Sequence, residues 1–526
     1  MKYIALTLGP ITRTIEMAEN TRSLWAASYL FSYLGKKIIE PFKDRSFLLP
    51  YISSKKEEGM FTDRFQGAGV FPDRYIFEAK DGDFDKLSKH VGDVIRDIAT
   101  EINRIINPVG KDEVNQIETY LKRYLKVYFL EKDYKIADNK TVKDECEKSL
   151  SLLEMQDSIV PKVNDEELFL NRFFDRVPGS FLATDAGLGE RFPTIVQISS
   201  GDNVEIPQHP YQRYVAVVKA DGDSMGKAFK KTNDANALSK ALFEFNKKAV
   251  EIIRNDYDGL PVYIGGDDLL FFAPIYTKKG SVFSLLLNLD TAFHDSIIEN
   301  TDLKNQEEHP TLSFGVSISY YKYPMFEALE LADKLLTKAK AGDGEKNNIV
   351  FSILKHSGQT RAALLHKGNV ETLKDFNTFV NDYIKIIEGR EDNKEDEKEE
   401  DIKENKKMLA SVMHGLREKE PLLSVAIKQD KTLRNFFDNN FNESEHKKYA
   451  DFFEDIRKLL WAAYYEFPTD KLEKLKKCLP QNMMVKNVNT EELIPTPEKA
   501  AIETAYNALQ FVHLVNQRND ERDESF

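Results

Sequence analysis

Apolar and polar positions alternate differently along the chain, and these changes divide it into zones. The apolar stretch from Tyr3 to Ile11 predicts a strand, and residues from Thr21 to Ile39 carry apolar side chains at helical spacing. A hairpin is expected around GVFPDRYIFEA, and residues from about 110 to 190 are predicted to be entirely helical. The Pro-Gly pair of RVPGSF helps to close these helices.

From Tyr211 to Leu354 the pattern of apolar and polar positions is different. YVAVVKA predicts a buried strand, and LPVYIGGDDLLFFAP predicts two strands that turn on the central Gly-Gly. With the helical segments between them, the predicted order is β-α-α-β-β-α-β-α-β. This is the order of a ferredoxin-like α+β sandwich, the palm arrangement of polymerases and nucleotide cyclases.

The chain after about Arg361 is predicted to be helical to its end. The charged run 389–407 has almost no apolar content, so it predicts a disordered or solvated helical connector. The predicted domains are a palm-like domain (1–110), a helical domain (111–200), a catalytic palm (205–356) and a C-terminal helical bundle (361–526).

The first palm-like domain lacks the acidic residues that the second has at the matching positions. Its first strand ends in Leu8-Gly9-Pro10, and its hairpin has AGVFPDRY where the second has IGGDDLLF. If the two zones arose by duplication, we expect only the second to be catalytic.

Composition adds limits to this picture. The net charge is −13, which argues against the chain being the main component that holds nucleic acid. The 2 cysteines, Cys146 and Cys478, supply neither a disulfide framework nor a CxxC zinc motif. We find no signal-peptide pattern and no apolar run long enough for a membrane span, so a cytoplasmic protein is expected.

Two motifs carry the candidate chemistry. The run Asp221-Gly222-Asp223-Ser224-Met225-Gly226 follows a predicted strand, where backbone N–H groups and glycines can approach a phosphate. The second motif, Gly265-Gly266-Asp267-Asp268, lies at the turn of an apolar hairpin.

Adjacent carboxylates between buried strands need a counter-charge. Two Mg²⁺ or Mn²⁺ ions roughly 3.5–4 Å apart would supply it and can clamp the attacking and leaving oxygens of phosphoryl transfer. We therefore predict that Asp221, Asp267 and Asp268 are catalytic metal ligands, with Asp223 a weaker candidate. Each motif alone could instead be a solvated turn; their order and placement together favour the site.

The two motifs resemble the palm of the large polymerase/cyclase subunit of type III CRISPR effector complexes, a relative of the GGDEF diguanylate cyclases. Ala332-Asp333, Ala339-Lys340 and Lys346-Asn347 follow in the order seen on the last helix and loop of such cyclases. The resemblance implies that Lys340 and Lys346 contact the triphosphate of ATP. Glycines 222, 226, 265 and 266, with Asp223, Ser224 and Met225, would complete the nucleotide site.

The resemblance extends to the type III-B first palm, through ITRTIEMAENTRSLWAASYLFSYL and GVFPDRYIF, and to the helical bundle that docks a small subunit. Departures from the family pattern also matter. The only His-Asp pair, His294-Asp295, lies in a predicted palm helix, so we expect no HD-type DNA nuclease activity. Cys146 alone cannot hold a structural zinc, so we expect none.

The resemblance implies an ATP-dependent nucleotidyltransferase that target RNA, paired to guide RNA in a complex with other protein subunits, switches on. Its product would be a signalling adenylate, either a cyclic oligoadenylate or AMP joined to a small acceptor such as S-adenosylmethionine. Two alternatives remain open at this point. One is an architectural subunit that binds ATP without turnover, and the other is a homodimeric cyclic-dinucleotide synthase.

Overall fold

The computed structural model describes the chain except for residues 56–58, 109–111, 136–137, 156–167, 189–191, 202–206, 208, 233, 307, 356–357, 359, 369–371, 389–398, 442–448, 488–489 and 517–526. The strands are β1 (Lys2–Gly9), β2 (Phe47–Leu49), β3 (Arg74–Ala79), β4 (Lys126–Asp133), β5 (Tyr214–Asp223), β6 (Leu260–Gly265), β7 (Asp268–Pro274), β8 (Tyr276–Thr277), β9 (Gly280–Ser281), β10 (Thr311–Tyr320), β11 (Asn348–Leu354), β12 (Thr360–His366), β13 (Met484–Lys486) and β14 (Leu493–Pro495).

The helices of the first half are α1 (Ile11–Glu16), α2 (Thr21–Ile39), α3 (Asp83–Ile106), α4 (Val114–Tyr124), α5 (Asn139–Met155), α6 (Leu168–Phe174), α7 (Phe181–Ala186), α8 (Ile195–Ser200), α9 (Met225–Lys231) and α10 (Ala235–Glu251). Those of the second half are α11 (Val282–Phe293), α12 (Met325–Ala339), α13 (Thr372–Glu388), α14 (Glu399–Glu418), α15 (Glu420–Ala426), α16 (Asp430–Phe441), α17 (Ala450–Glu466), α18 (Thr469–Leu475) and α19 (Pro497–Val515). Helices α10 and α11 continue into π-helical turns at Ile252–Asp256 and His294–Glu299.

Two mixed α/β units have the same strand connections. The first sheet has the order β2-β3-β1-β4, and the core of the second has the order β6-β7-β5-β10. Neighbouring strands are antiparallel in both, with α2 and α10 as the matching first helices and α3 and α11 as the matching second helices. This is the ferredoxin-like arrangement, so the prediction of two palm-like α+β units is confirmed.

The two palms pack on each other reciprocally. Helix α2 of the first palm lies against edge strand β6 of the second, and α10 of the second lies against edge strand β2 of the first. Hydrogen bonds cross the contact, from the Ile264 N–H to the Gly69 carbonyl at 3.3 Å and from the Tyr51 N–H to Ser239 Oγ at 2.7 Å. Both edge strands are thereby covered, which protects them from pairing with another chain.

Three details of the predicted element order are wrong. The stretch 110–190 is not entirely helical, because β4 completes the first sheet; its side chains are mostly half-buried, so they give no clear alternation. No hairpin forms at residues 69–79, because β3 pairs instead with the distant β2. After Arg361 the chain is not helical throughout, since β12 extends the second sheet and β13 pairs with β14.

The charged run 389–407, predicted to be a disordered or solvated helical connector, is described only in part. Its first ten residues lie outside the described part of the chain, and the rest belongs to α14. The long amphipathic α14 packs on α19, so its apolar positions after residue 407 supply the burial that the charged run itself lacks. Within the described residues, no helix combines the length and apolar character needed to cross a membrane.

Helix α12 lies unusually close to strand β10, and Gly315 is the reason. A Cβ at Gly315 would lie 2.2 Å from the backbone nitrogen of Leu336 and 2.3 Å from the carbonyl oxygen of Ala332. Both atoms belong to the backbone, so the helix itself would have to move. The position of α12 on the sheet, and of the residue that follows it, therefore depends on this glycine.

We expect Gly315→Ala to lower the free energy of unfolding by about 1–3 kcal/mol, the usual cost of forcing extra volume into a packed core. The measurement is the shift in the urea unfolding midpoint of the full chain. Gly92→Ala in α3 is the matched control, because nothing lies within 4 Å of the added Cβ and alanine favours helices. Equal midpoints for the two variants would contradict the close approach of α12.

Candidate active site

The fold brings the two predicted acidic motifs together at one end of the second sheet. Asp221 is near the end of β5, and Asp267 and Asp268 lie at the β6–β7 turn. The Gly222 N–H donates to the Asp267 carbonyl at 3.2 Å. A Cβ at Gly222 would lie 2.7 Å from both Cβ and Oδ2 of Asp267, so glycine is what lets the motifs meet.

This proximity makes the carboxylates repel one another. Burial, followed by the charge of Asp221, raises the pKa of Asp267 to about 6. Burial, followed by the charges of Asp267 and Asp221, raises the pKa of Asp268 to about 7. The Asp268 side chain nevertheless remains accessible to solvent. A cation at this corner would stabilise the ionised acids.

In this conformation Lys340 supplies the counter-charge. Its Nζ lies 2.6 Å from Asp221 Oδ2 and donates to the Gly222 carbonyl at 3.0 Å. Lys340 directly follows α12, whose position depends on Gly315. The structure thus places Lys340 at the acidic corner, whereas its predicted contact with a triphosphate stays a prediction.

Asp223 has a different place from the other three acids. It is almost fully buried, and its Oδ2 accepts hydrogen bonds from Thr311 Oγ1 (2.8 Å), Ser313 Oγ (2.6 Å) and the Asn347 N–H (3.0 Å). Its Oδ1 is buried with no hydrogen-bond partner among the described residues and lies 3.9 Å from Lys340 Nζ. Asp223 therefore ties β10 and the loop after α12 to the end of β5.

The remaining predicted nucleotide contacts surround this corner. Ser224 adopts a left-handed backbone conformation (φ 61°) before α9, Met225 is buried, and Gly226 is exposed with open space around it. Lys346 lies on the loop between α12 and β11, and the described residues include no hydrogen-bond or ion-pair partner for it. Phosphate contacts by these residues stay predictions.

Asn246 is a site residue that the sequence reasoning missed. It is buried on α10, and its side-chain amide spans the backbone of Gly266, donating to the carbonyl at 3.0 Å and accepting from the N–H at 3.1 Å. Gly266 has a φ of 64°, which favours glycine, and the amide fixes this turn from behind. The signal was an amide between the apolar residues Phe245 and Ala249 of α10, which periodicity alone does not distinguish from a surface position.

The donor set suits Mg²⁺ or Mn²⁺, because these ions prefer carboxylate and carbonyl oxygens. The raised pKa values and the unpartnered Asp223 oxygen are further signs that positive charge is needed here. In the described part of the chain, no three His, Cys, Asp or Glu side chains are close enough to form a ready-made metal cluster. Lys340 pairs with Asp221 in this conformation, so a metal bound by all three predicted ligands would compete with Lys340 for Asp221.

The first palm contains a counterpart of this corner with reversed charges. The Leu8 N–H donates to the Asp73 carbonyl at 2.9 Å, as Gly222 does to Asp267. The paired residues Thr7 and Arg74 therefore occupy the places of Asp221 and Asp268.

In this first-palm corner, the carboxylate is supplied by a helix and not by a strand. Glu154 of α5 accepts from Thr7 Oγ1 and from Arg74 Nη2, each at 2.6 Å. Helix α5 follows the last palm strand, as α12 does in the second palm. The first corner thus pairs a helix acid with a strand arginine, and the second pairs a helix lysine with strand acids. Among the residues of the first palm that the structure describes, no matching cluster of acids is formed at this corner.

We expect Asn246→Asp to destabilise the GGDD turn, because an ionised carboxylate cannot donate to the Gly266 carbonyl. An unsatisfied buried group costs about 1–3 kcal/mol, which should appear as a lower urea midpoint. Asn288→Asp makes the same chemical change at an exposed amide and should shift the midpoint much less. Equal shifts would refute the bracing role of Asn246.

Comparison with known proteins agrees with this geometry. Residues 214–350 match the model of the Cas10/Cmr2 second palm domain, and residues 3–108 match that of the N-terminal region of CRISPR-associated protein Cmr2. The Cmr subunit Cmr2 of Pyrococcus furiosus is 28% identical over 205 residues. That match covers 34% of this chain and only 22% of the relative.

Solved structures show the same fold. The apo type III-B Cmr-beta structure aligns with a TM-score of 0.50 at 12% identity, covering 82% of this chain and 76% of the other. The Cmr-beta structure bound to cognate target RNA aligns with a TM-score of 0.52 at 11% identity, covering 84% and 78%. Both family models are matched in order, the N-terminal one on the first palm and the second-palm one on the second, so the two palms of this chain are Cas10/Cmr2-like.

Proposed function

We propose that this chain is the nucleotidyltransferase subunit of a type III CRISPR effector complex, using ATP to make a signalling adenylate. The observation that carries the proposal is the convergence of Asp221, Asp267 and Asp268 around Gly222. Burial and neighbouring acids raise the pKa of Asp267 and Asp268, which is costly to a fold, and a site for metal-bound ATP gives these acids a use.

Asp221, Asp267 and Asp268 would hold two Mg²⁺ or Mn²⁺ ions. These ions would lower the pKa of the attacking hydroxyl and stabilise the departing pyrophosphate. Lys340 acts as the counter-ion of Asp221 before substrate binds and turns to the triphosphate afterwards. Lys346 adds a second positive charge from the same loop, and the exposed Gly226 leaves room for the phosphates.

The acceptor is expected to bind between the two palms. The first palm reaches the acidic corner, since the Ile264 N–H, at the end of β6, donates to the Gly69 carbonyl at 3.3 Å and the charge of Asp73 contributes to the raised pKa of Asp268. Because two palms already pack reciprocally within one chain, pairing of palms requires no second copy. This arrangement favours the proposed subunit over a homodimeric cyclic-dinucleotide synthase.

In the reaction, an acceptor hydroxyl attacks the α-phosphate of ATP, a new P–O bond forms, and pyrophosphate leaves. When the acceptor is the 3′-hydroxyl of another adenylate, repetition and closure give a cyclic oligoadenylate. When it is a small molecule such as S-adenosylmethionine, the product is an AMP conjugate. The donor residues are the same in both cases.

Guide RNA, target RNA and other protein subunits are the proposed partners, with target RNA as the activator. The fold similarity to Cmr-beta bound to target RNA supports this assignment. The net charge of −13 suits a subunit that depends on others to hold the RNA. The absence of zinc and of DNA nuclease activity stays a prediction.

The second candidate is an architectural subunit that binds ATP without turnover. The Lys340–Asp221 ion pair favours it, since a permanent pair would keep Asp221 from a metal. The pair is partly exposed, with side-chain exposures of 21% and 34%. Both side chains therefore still reach solvent, so substrate binding can exchange the partners.

The test uses the chain assembled with its guide RNA and partner subunits, incubated with labelled ATP, Mg²⁺ or Mn²⁺ and target RNA, with and without S-adenosylmethionine. We expect an adenylate product that requires target RNA and falls at least about 100-fold in Asp267→Ala/Asp268→Ala, because the metal ligands are lost. The mass of the product identifies the acceptor.

The matched control is Asp85→Ala/Asp93→Ala, which removes two exposed carboxylates from α3 and should retain activity. ATP bound by the wild-type complex without any product, under either metal and either acceptor, would favour the architectural subunit.

A further inference from the structure

The loop between α12 and β11, residues 340–347, contacts the acidic corner from both of its ends. At its start, Lys340 binds Asp221 and the Gly222 carbonyl. At its end, Asn347 has a φ of 71° and donates its N–H to Asp223. A shift of this loop would therefore move the counter-ion of Asp221 and the support of Asp223 together.

The middle of the loop contacts residues 474–478, which end α18 and follow it in the helical C-terminal part of the chain. The Asp343 N–H donates to the Lys474 carbonyl at 3.0 Å. Two ion pairs add to this contact, Lys474 with Glu345 at 3.4 Å and Lys477 with Asp343 at 3.3 Å. Because these ion pairs are largely exposed, they are expected to contribute little.

The buried part of the contact is formed by Cys478. Its side chain is fully buried, and its thiol lies 3.8 Å from the Ala339 carbonyl at the end of α12. The backbone N–H groups of Ala341 and Gly342 face the sulfur, and burial raises the pKa of the thiol to about 11. A Cβ at Gly342 would lie only 3.3 Å from the sulfur, so the loop lies directly on a neutral thiol.

A second buried connection closes the base of the loop. Asn348 donates from Nδ2 to the carbonyls of Ala339 (2.8 Å) and Glu345 (3.2 Å). Its Oδ1 pairs with Nδ1 of the buried His366 at 2.7 Å. His366 Nε2 in turn lies 4.0 Å from Glu466, a buried residue of α17. Both ends of the loop are thus coupled to the C-terminal helices through buried groups.

We infer that residues 474–478 are a positioning element for the loop 340–347, so that the packing of the C-terminal helices sets the placement of Lys340 and Asn347 at the acidic corner. The expected effect on ATP binding rests on the proposed function, whereas the effect of residues 474–478 on the position of the loop does not. A partner that docks on the C-terminal helices would then alter nucleotide binding without touching the site.

The test compares Cys478→Leu, which pushes toward Gly342, with Cys146→Leu, which overpacks the other buried thiol in the first palm. Cys478→Ser, which keeps the size and a hydrogen-bonding group, is the conservative variant, and Cys478→Val replaces Cys478→Leu if the latter does not fold. For each full-length variant we would measure Tm, hydrogen–deuterium exchange of peptides spanning 338–348 and 219–226, and the Kd of a non-hydrolysable ATP analogue with Mg²⁺.

We expect Cys478→Leu to speed exchange in both peptides and to weaken analogue binding about tenfold, since small misplacements of binding groups have large effects. Cys146→Leu should lower Tm comparably but change neither readout, and Cys478→Ser should resemble the wild type. Unchanged exchange in Cys478→Leu, with Tm lowered, would overturn the inference. A wild-type chain that binds no analogue would instead contradict the proposed function, while exchange still decides the positioning role.

Discussion

The close approach of β5 to the β6–β7 turn at Gly222 is the contact on which the candidate site depends. It places Asp221 beside Asp267 and Asp268, so the three acids share one corner and two of them have raised pKa values. A fold gains nothing from such repulsion unless a cation is present. Lys340 supplies one in this conformation, and metal-bound ATP is the cation-bearing substrate that we propose.

The two palms show how one architecture supports two electrostatic outcomes. Equivalent backbone hydrogen bonds, at Leu8 and Gly222, fix the same corner in each. The first corner pairs Arg74 with Glu154, whereas in the second, Lys340 is the cation among the described residues that pairs with an acid of the corner. The different electrostatics of the two corners therefore follow from a few charged residues and not from a change of fold.

Periodicity predicted the second palm well, because YVAVVKA and its neighbouring strands are continuously buried and their motifs stand at strand ends. It missed β4, whose partner β1 is distant in sequence, and β12, which pairs with the preceding strand β11 although its Ala and Leu residues favour a helix. The acids were identifiable because adjacent carboxylates between apolar strands are unusual. Asn246, the inward turn of Asp223 and the buried Cys478 contact were not, since each depends on which backbone atoms the fold brings near it.

The central claim, that the acidic corner is built to receive cations, can be tested on the isolated chain. The measurement is the Tm at neutral pH in EDTA and in excess Mg²⁺, for the wild type and for Asp267→Asn/Asp268→Asn. The account predicts that Mg²⁺ stabilises the wild type, by about 2.7 kcal/mol at one hundred times its Kd. It also predicts that the variant melts higher than the wild type in EDTA and does not respond to Mg²⁺. A wild type unaffected by Mg²⁺, with a variant that melts lower, would contradict it.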